Sequence, residues 1–130
     1  MAAPAVLDAL RALGSPEPKV RSGLPSKAGE CVTDNGMWLI DAPFSPLLLP
    51  GDLDAATKGD GAGGKWELNA LAAAIKRIPG VCEIGLFWGV DGAQAAASGL
   101  DGHAEKPIAA YFGMEDGSIS TRLSKTATQS

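Results

Sequence analysis

Residues 66–88 constrain the fold more than any other part of the chain, because two structural periods follow each other there. Residues 66–78 (WELNALAAAIKRI) have the helical period, and Pro79–Gly80 ends it. The apolar face of this helix consists of Leu68, Leu71, Ile75 and Ile78. Residues 81–88 (VCEIGLFW) alternate with a period of two and are apolar on both faces, which predicts a buried strand. We expect the helix to pack on the sheet that contains Ile84 and Leu86.

Shorter elements surround this pair. Residues 4–13 (PAVLDALRAL) predict a helix that begins at a proline and stops at a glycine. Residues 18–22 predict an edge strand, since nearby prolines exclude a helix interior. Residues 37–41 predict a strand that follows a type I′ turn at Asn35–Gly36. Residues 108–122 predict a final hairpin, with Asp116–Gly117 as its turn.

In chain order the predicted elements up to residue 88 are helix, strand, strand, helix and strand. This is the ferredoxin-like β-α-β-β-α-β order without its first strand. The strands beside the gap would have unpaired N–H and C=O groups. The predicted fold class is therefore α+β, an incomplete ferredoxin-like α/β sandwich with its first strand missing, plus the C-terminal hairpin.

Two glycine-rich stretches separate the predicted elements. Residues 43–65 contain three prolines and five glycines without sustained periodicity, which predicts a long loop or insertion. The run GDGAGGKW at 59–66 suggests a phosphate-binding loop, but it lacks the GxxxxGK[ST] spacing and no predicted strand precedes it. We therefore interpret it as a flexible loop. Residues 89–107 predict a loop or linker that carries the single histidine, His103, for which a solvent-exposed position is expected.

Charge and cysteine content exclude several classes of protein. Lys and Arg number 11 against 15 Asp and Glu, so no strong positive field exists to bind nucleic acid or an anionic membrane surface. Cys31 and Cys82 form no CxxC pair, which supports neither a disulfide framework nor a zinc site. No apolar run is long enough to span a bilayer. These features predict a cytoplasmic protein without a membrane or nucleic-acid partner.

No motif for covalent catalysis is present, since no Ser or Cys lies at a recognisable spacing from a base and an orienting acid. Carboxylates are scattered over turns and strand ends, at Asp34, Asp41, Glu83, Glu115 and Asp116. Asp34 and Asp116 are expected to bond the local backbone of their turns. The N-terminal quarter is modestly basic, through Arg11, Lys19, Arg21 and Lys27, which we interpret as solvated side chains. The residues alone predict no catalytic, cofactor-binding or metal-binding residue and no cofactor.

Three ordered stretches carry a family resemblance: CVTDNGMWLIDAPF at 31–44, AIKRIPGVCEIGLF at 74–87 and AYFGMEDGSIS at 110–120. With LGSP at 13–16, they resemble the C-terminal part of ribose-5-phosphate isomerase A, especially its eukaryotic, fungal-like forms. The resemblance implies an aldose–ketose isomerase of the non-oxidative pentose phosphate pathway. It would interconvert ribose 5-phosphate and ribulose 5-phosphate without a cofactor, through a glutamate base and phosphate-holding amides and lysines.

The resemblance also implies what the chain lacks. The TGST-like, DGAD-like and KGGG-like segments of the family and its catalytic glutamate precede the matching portion, and none occurs in residues 1–130. We therefore assign no catalytic residue and expect a truncated isomerase that is inactive alone. The alternative is a non-catalytic α+β binding or assembly module. A sugar phosphate is the implied substrate, and a homo-oligomer is possible.

The resemblance further implies a division of the chain. Residues 1–88 would form the ferredoxin-like small domain, with the insertion at about 43–65, and residues 89–107 would connect it to the rest. Residues 108–122 would be the hairpin that in the family joins a doubly wound catalytic α/β domain. Residues 123–130 would form a tail.

Overall fold

The computed structural model describes residues 2–23, 29–99 and 104–124. The chain divides into two compact units, Met1–Ile84 and Gly85–Ser130, each of which is described by itself. Within the described residues there are three α-helices and two small antiparallel two-stranded sheets. The predicted α+β class is therefore confirmed.

Helix α1 of the first unit spans Ala3–Ala12, close to the predicted bounds. Pro4 lies in its first turn, where a missing N–H costs nothing, and Val6 and Leu10 are buried on one face. Two residues after the last helical residue, Gly14 has a φ of 99°, and this left-handed conformation stops the helix. Next to it the backbone N–H of Ser15 donates to the carbonyl oxygen of Leu10 at 3.0 Å. The local signals in the sequence thus fix both ends of α1.

Helix α2 spans Leu68–Lys76, within the predicted range 66–78. Glu67 caps its N-terminus, since the Glu67 carboxylate accepts a hydrogen bond from the backbone N–H of Ala70 at 2.9 Å. Trp66 and Glu67 do not join the helix because their backbone pairs with the preceding loop: the N–H of Leu48 donates to the carbonyl oxygen of Trp66 at 2.8 Å. Leu71 is buried, as the apolar face predicts.

The core of the first unit joins α1 to the C-terminal end of α2. Val6, Leu10 and Ile78 form its buried centre. Partly buried side chains pack around it: Ala9, Leu13, Ile40, Ala42, Phe44, Ile75 and Val81. The end of α2 therefore packs on α1 and on the strand around Ile40. The expectation that α2 packs on a sheet containing Ile84 and Leu86 is wrong, because no such sheet forms in the described part of the chain.

Strand β1, Lys19–Val20, pairs antiparallel with β2, Ile40–Asp41. Both are shorter than the predicted 18–22 and 37–41. The reason is that the backbone of Arg21 pairs with two different segments. Its N–H donates to the carbonyl oxygen of Leu39, and its carbonyl oxygen accepts from the N–H of Cys31. Three segments thus meet around Arg21 and share one irregular patch of β structure.

The turn between Val32 and Trp38 is not of type I′. That type needs a positive φ at both central residues, whereas only Gly36 has one, at 74°. The N–H of Gly36 donates to the carbonyl oxygen of Thr33 at 2.8 Å, and the N–H of Thr33 donates to that of Met37 at 2.9 Å. This is the three-residue loop in which a type I turn is followed by a left-handed glycine. The glycine signal in the sequence is right, and the turn type is wrong.

The predicted buried strand at 81–88 is absent. These residues lie in no strand or helix, and Cys82, Glu83 and Phe87 are exposed, Phe87 by 71%. A strand requires a neighbour for its N–H and C=O groups. Within the described residues this segment has no such neighbour, which the period-two pattern could not reveal.

The second unit contains helix α3, Gly92–Ser98, inside the stretch 89–107 for which only a connection is predicted. Its capping box is complete: the Asp91 carboxylate accepts from the N–H of Gln94 at 2.9 Å, and the Gln94 side chain accepts from the N–H of Asp91 at 3.1 Å. The D-x-x-Q spacing at 91–94 is the signal that would have revealed this helix.

The predicted C-terminal hairpin is confirmed. Strand β3, Ala109–Gly113, pairs antiparallel with β4, Ile119–Leu123, over five residue pairs. Its turn repeats that of the first hairpin, since the N–H of Gly117 donates to the carbonyl oxygen of Met114, and that of Met114 to the carbonyl oxygen of Ser118. Large apolar side chains on both strands are exposed, including Tyr111, Phe112, Ile119 and Leu123.

Candidate functional site

The glycine-rich loop contains a concave surface. A groove of about 230 Å³ lies between residues 56 and 65 and is lined by Thr57, Lys58, Asp60 and Lys65, among others. Its two lysines and the GDGAGGKW run raise the question of phosphate binding.

Two close backbone approaches shape this loop. A Cβ at Gly59, which has a φ of 68°, would lie 2.6 Å from Cβ of Glu67. A Cβ at Gly61, which has a φ of 92°, would lie 2.6 Å from Cε2 of Trp66. The indole of Trp66 in turn donates from Nε1 to the carbonyl oxygen of Leu13 at 2.8 Å. The loop is therefore held against the start of α2 and the end of α1.

The charges in the loop cancel. Between residues 54 and 65, Asp54 and Asp60 balance Lys58 and Lys65 in number, so this stretch of the loop has no net positive charge to attract a phosphate. The Asp54 carboxylate accepts from the N–H groups of Thr57 and Ala56, and these bonds, together with nearby Lys65, lower the pKa of Asp54. The Asp60 carboxylate accepts from the N–H of Ala62 at 3.2 Å.

Two of the carboxylates considered from the sequence, Asp41 and Glu83, have structural partners. A hydrogen bond from Arg21 lowers the pKa of Asp41, and the same bond raises the pKa of Arg21. The N–H of Ile84 lowers the pKa of Glu83, with a smaller contribution from Lys76. Carboxylates held ionised in this way are poor proton acceptors at neutral pH, because a general base works best with a pKa near the operating pH.

The two turn carboxylates differ. Asp116 behaves as predicted: its Oδ1 accepts from the N–H and the hydroxyl of Ser118, which lowers the pKa of Asp116. At the first turn the side-chain bond is made instead by Thr33, whose Oγ1 accepts from the N–H of Met37 at 3.2 Å. A β-hydroxyl and a carboxylate one residue apart compete for the same N–H, and the sequence does not say which is closer.

Two of the four basic residues in the N-terminal quarter are paired with carboxylates. Arg11 pairs with Asp8 at 2.7 Å, and Arg21 pairs with Asp41 through Nε and Nη2. Lys27 and His103 lie outside the described residues. Among the described residues no group of three or more His, Cys, Asp or Glu side chains could hold a metal ion. In the described part of the chain, no set of base, nucleophile and anion-binding groups converges on one point.

Comparison with known proteins identifies the family, which the geometry of the described residues does not. The sequence profile described as ribose 5-phosphate isomerase A (phosphoriboisomerase A) matches residues 1–100, well over half of the chain. The chain belongs to the ribose 5-phosphate isomerase A family. The resemblance carried by the three ordered motifs is thus confirmed.

Individual relatives agree with this assignment. The chain is 34% identical over 122 residues to a ribose-5-phosphate isomerase of Schizosaccharomyces pombe, which covers 94% of the chain and 32% of that protein. It is 38% identical over 103 residues to one of Eremothecium gossypii, covering 79% of the chain and 27% of that protein. A ribose-5-phosphate isomerase A of Trichodesmium erythraeum is 37% identical over 90 residues, covering 69% of the chain and 30% of that protein. The chain thus spans about a third or less of these relatives.

Two further findings complete the comparison. No solved structure matches the chain. No helix within the described residues is both long and apolar enough to cross a membrane.

Proposed function

We propose that this chain provides one part of a ribose-5-phosphate isomerase and has no isomerase activity by itself. The observation that carries the proposal is a family match over residues 1–100 in a chain that spans only 32% of its Schizosaccharomyces pombe relative. The substrate of the assembled enzyme would be ribose 5-phosphate, with ribulose 5-phosphate as product, and no cofactor is needed.

The chemistry of this reaction explains the expected inactivity. Moving a proton between C1 and C2 of a sugar requires a base that is free to accept it, and the oxyanion and the phosphate both require donors. In the described residues, Asp41, Asp54 and Glu83 are held as ion pairs or backbone acceptors. The two lysines of the loop groove share their loop with Asp54 and Asp60. These groups are suited to holding the fold rather than to turning over a sugar phosphate.

We further propose that residues 1–88 belong to a ferredoxin-like small domain with an insertion at about 43–65. Support comes from the order α1, β1, β2 and α2 along the chain, which is the order of the ferredoxin-like motif after its first strand. Residues 89–107 would be the connection, and residues 108–122 would join a doubly wound α/β domain. The predicted tail lies outside the described residues after Ser124.

The exposed apolar surface of the C-terminal hairpin supports the assignment of residues 108–122 to a larger α/β domain. Tyr111 and Ile119 are 73% and 71% exposed, on two strands that pair only with each other among the described residues. An isolated two-stranded hairpin is marginally stable in water at best. Packing against a larger sheet or a helix would bury these side chains.

We propose that the assembled enzyme is cytoplasmic, acts on a sugar phosphate, can form a homo-oligomer, and has no nucleic-acid or membrane partner. The cytoplasmic placement is supported by Cys31 and Cys82, neither of which forms a disulfide. The excess of acidic over basic residues argues against a nucleic-acid partner.

The test uses two proteins. The first is the isolated chain, assayed for conversion of ribose 5-phosphate to ribulose 5-phosphate in an expression strain without its own isomerase. The second is a chimera, in which this chain replaces the matched 122-residue portion of the Schizosaccharomyces pombe relative. We expect background turnover from the isolated chain and measurable turnover from the chimera. Turnover by the isolated chain would refute the proposed inactivity, and a folded but inactive chimera would favour the non-catalytic module.

A further inference from the structure

The turn at residues 33–37 carries the pair Asn35–Gly36 at an exposed position, and every residue of the turn is exposed. Gly36 has a φ of 74°, and a Cβ built there would meet no atom within 4 Å, so the space beside its backbone is open. The only other asparagine of the sequence, Asn69, lies half-buried in helix α2 and is followed by Ala70. The chain therefore holds two asparagines in opposite settings.

Hydrogen bonds at the surface close the turn around Asn35. The N–H of Gly36 donates to the carbonyl oxygen of Thr33 at 2.8 Å, and the N–H of Met37 donates to Oγ1 of Thr33 at 3.2 Å. These residues are exposed, so water can replace each bond when the turn opens. Exposed turns open at little cost in free energy. The backbone nitrogen of Gly36 is therefore free to react far more often than an amide inside a helix.

The setting of Asn69 is closed by a single carboxylate. Nδ2 of Asn69 donates to Oε1 of Glu67 at 2.9 Å, and the N–H of Ala70 donates to Oε2 of the same carboxylate at 2.9 Å. Glu67 is only 7% exposed, so both bonds are shielded from water. A reaction between the Asn69 carboxamide and the next backbone nitrogen thus requires the start of α2 to unfold.

We propose that Asn35 is a site of spontaneous deamidation, with water as the co-reactant. The backbone nitrogen of Gly36 loses its proton to solvent and forms a bond to Cγ of Asn35, while the Cγ–Nδ2 bond breaks and the nitrogen takes up a proton and leaves as ammonia. Glycine favours this attack because it carries no side chain beside the nitrogen.

Water then opens the resulting five-membered succinimide. Breaking the new bond at Cγ gives aspartate, and breaking the bond at the backbone carbonyl carbon gives isoaspartate, in which the main chain runs through the former side chain. In both cases one water is consumed, one ammonia is released and no electron is transferred.

The products alter the turn in two ways. Each adds one negative charge to a chain with a formal net charge of -4, directly after Asp34. Isoaspartate also inserts a methylene group into the main chain between Thr33 and Met37, whose backbones are joined by a bond of 2.9 Å. That bond depends on distance and angle, so the pairing of Val32 with Trp38 beyond the turn should weaken.

The experiment incubates the full folded chain in a mildly alkaline buffer, which favours loss of the amide proton. Peptide mass spectrometry follows the replacement of NH2 by OH at Asn35 and Asn69, and anion exchange follows the added charge. Isoaspartate formed at an Asp–Gly pair leaves the mass unchanged, so the mass readout is specific for asparagine. Thr33→Val removes the Oγ1 bond of the turn with little change in shape, and Thr121→Val on β4 is its matched control.

We expect Asn35 to react at least about tenfold faster than Asn69 in the folded chain, and this ratio should fall in urea, where α2 no longer protects Asn69. Thr33→Val should speed the loss at Asn35 by roughly two- to tenfold, the equivalent of one hydrogen bond, whereas Thr121→Val should leave it unchanged. Asn35→Gln, which requires a larger ring, should remove the acidic species.

Equal rates at Asn35 and Asn69 in the folded chain, or an unchanged rate at Asn35 in Thr33→Val, would overturn the proposal. Circular dichroism of each variant verifies that it is folded before the incubation begins.

Discussion

The contact between Gly61 and Trp66 gives the sharpest test of how the glycine-rich loop is held. Gly61 has a φ of 92°, and a Cβ at this position would lie 2.6 Å from Cε2 of the indole. The indole cannot simply move away, because its Nε1–H is bonded to the carbonyl oxygen of Leu13 at the end of α1. Gly61→Ala must therefore strain the backbone and displace a ring that joins the loop to α1.

The magnitude has three parts. A left-handed φ costs a non-glycine residue about 1–2 kcal/mol. Forcing an extra methyl group into a packed contact costs typically about 1–3 kcal/mol. If the ring moves, the bond from Trp66 to Leu13 is lost at about 0.5–1.5 kcal/mol. If the ring stays and clashes, Gly61→Ala should lower the free energy of unfolding by about 2–5 kcal/mol. If the ring moves and loses its bond, the loss should be about 1.5–3.5 kcal/mol.

Gly63→Ala is the matched control. Gly63 lies in the same loop with a φ of 62°, but a Cβ there meets no atom within 4 Å. Its substitution should cost only the backbone part, about 1–2 kcal/mol. Both variants are measured by urea denaturation followed by circular dichroism, and the difference between them isolates the contact with the indole.

A double-mutant cycle completes this test. In a Trp66→Ala background the clash is absent, so Gly61→Ala should then cost no more than Gly63→Ala. If Gly61→Ala and Gly63→Ala agree within about 0.5 kcal/mol in the unchanged chain, the ring does not lie on Gly61 and the reasoning is refuted.

Three further predictions concern the first unit. Leu71 is 1% exposed, so Leu71→Ala should lower the free energy of unfolding by about 2–5 kcal/mol; a cost below about 0.5 kcal/mol would contradict its burial. The Ser15 hydroxyl is buried without a partner among the described residues, so Ser15→Ala should leave the denaturation midpoint unchanged or raise it, and a clear loss would reveal an unseen bond. Arg21 lowers the pKa of Asp41, and the N–H of Ile84 lowers that of Glu83. Both carboxylates bind protons less readily when folded, so their contribution is complete above the ordinary carboxyl pKa and is lost as the pH falls below about 4. Asp41→Asn should flatten the acid limb of a stability–pH curve, and an unchanged limb would contradict this.

What the sequence determined is local. Pro4 and Gly14 mark the ends of α1 because one residue lacks an N–H and the other tolerates a positive φ. Gly36 and Gly117 mark the two turns because glycine tolerates a positive φ. The family was also readable, because three motifs in a fixed order are more specific than any single one, and the profile match over residues 1–100 confirms it.

What only the tertiary structure decided depends on partners far away in the chain. The pattern of residues 81–88 is that of a buried strand, yet no strand forms in the described part of the chain, because β structure needs a neighbour that periodicity does not specify. The same holds for Trp66, whose ring bonds to Leu13 at a distance of 53 residues along the chain, and for the 3.8 Å contact between Sγ of Cys82 and Sδ of Met37. Each joins residues that no local propensity connects. Such contacts are fixed only when α1, the turn at residues 33–37 and α2 pack together, since packing sets which atoms approach within bonding distance.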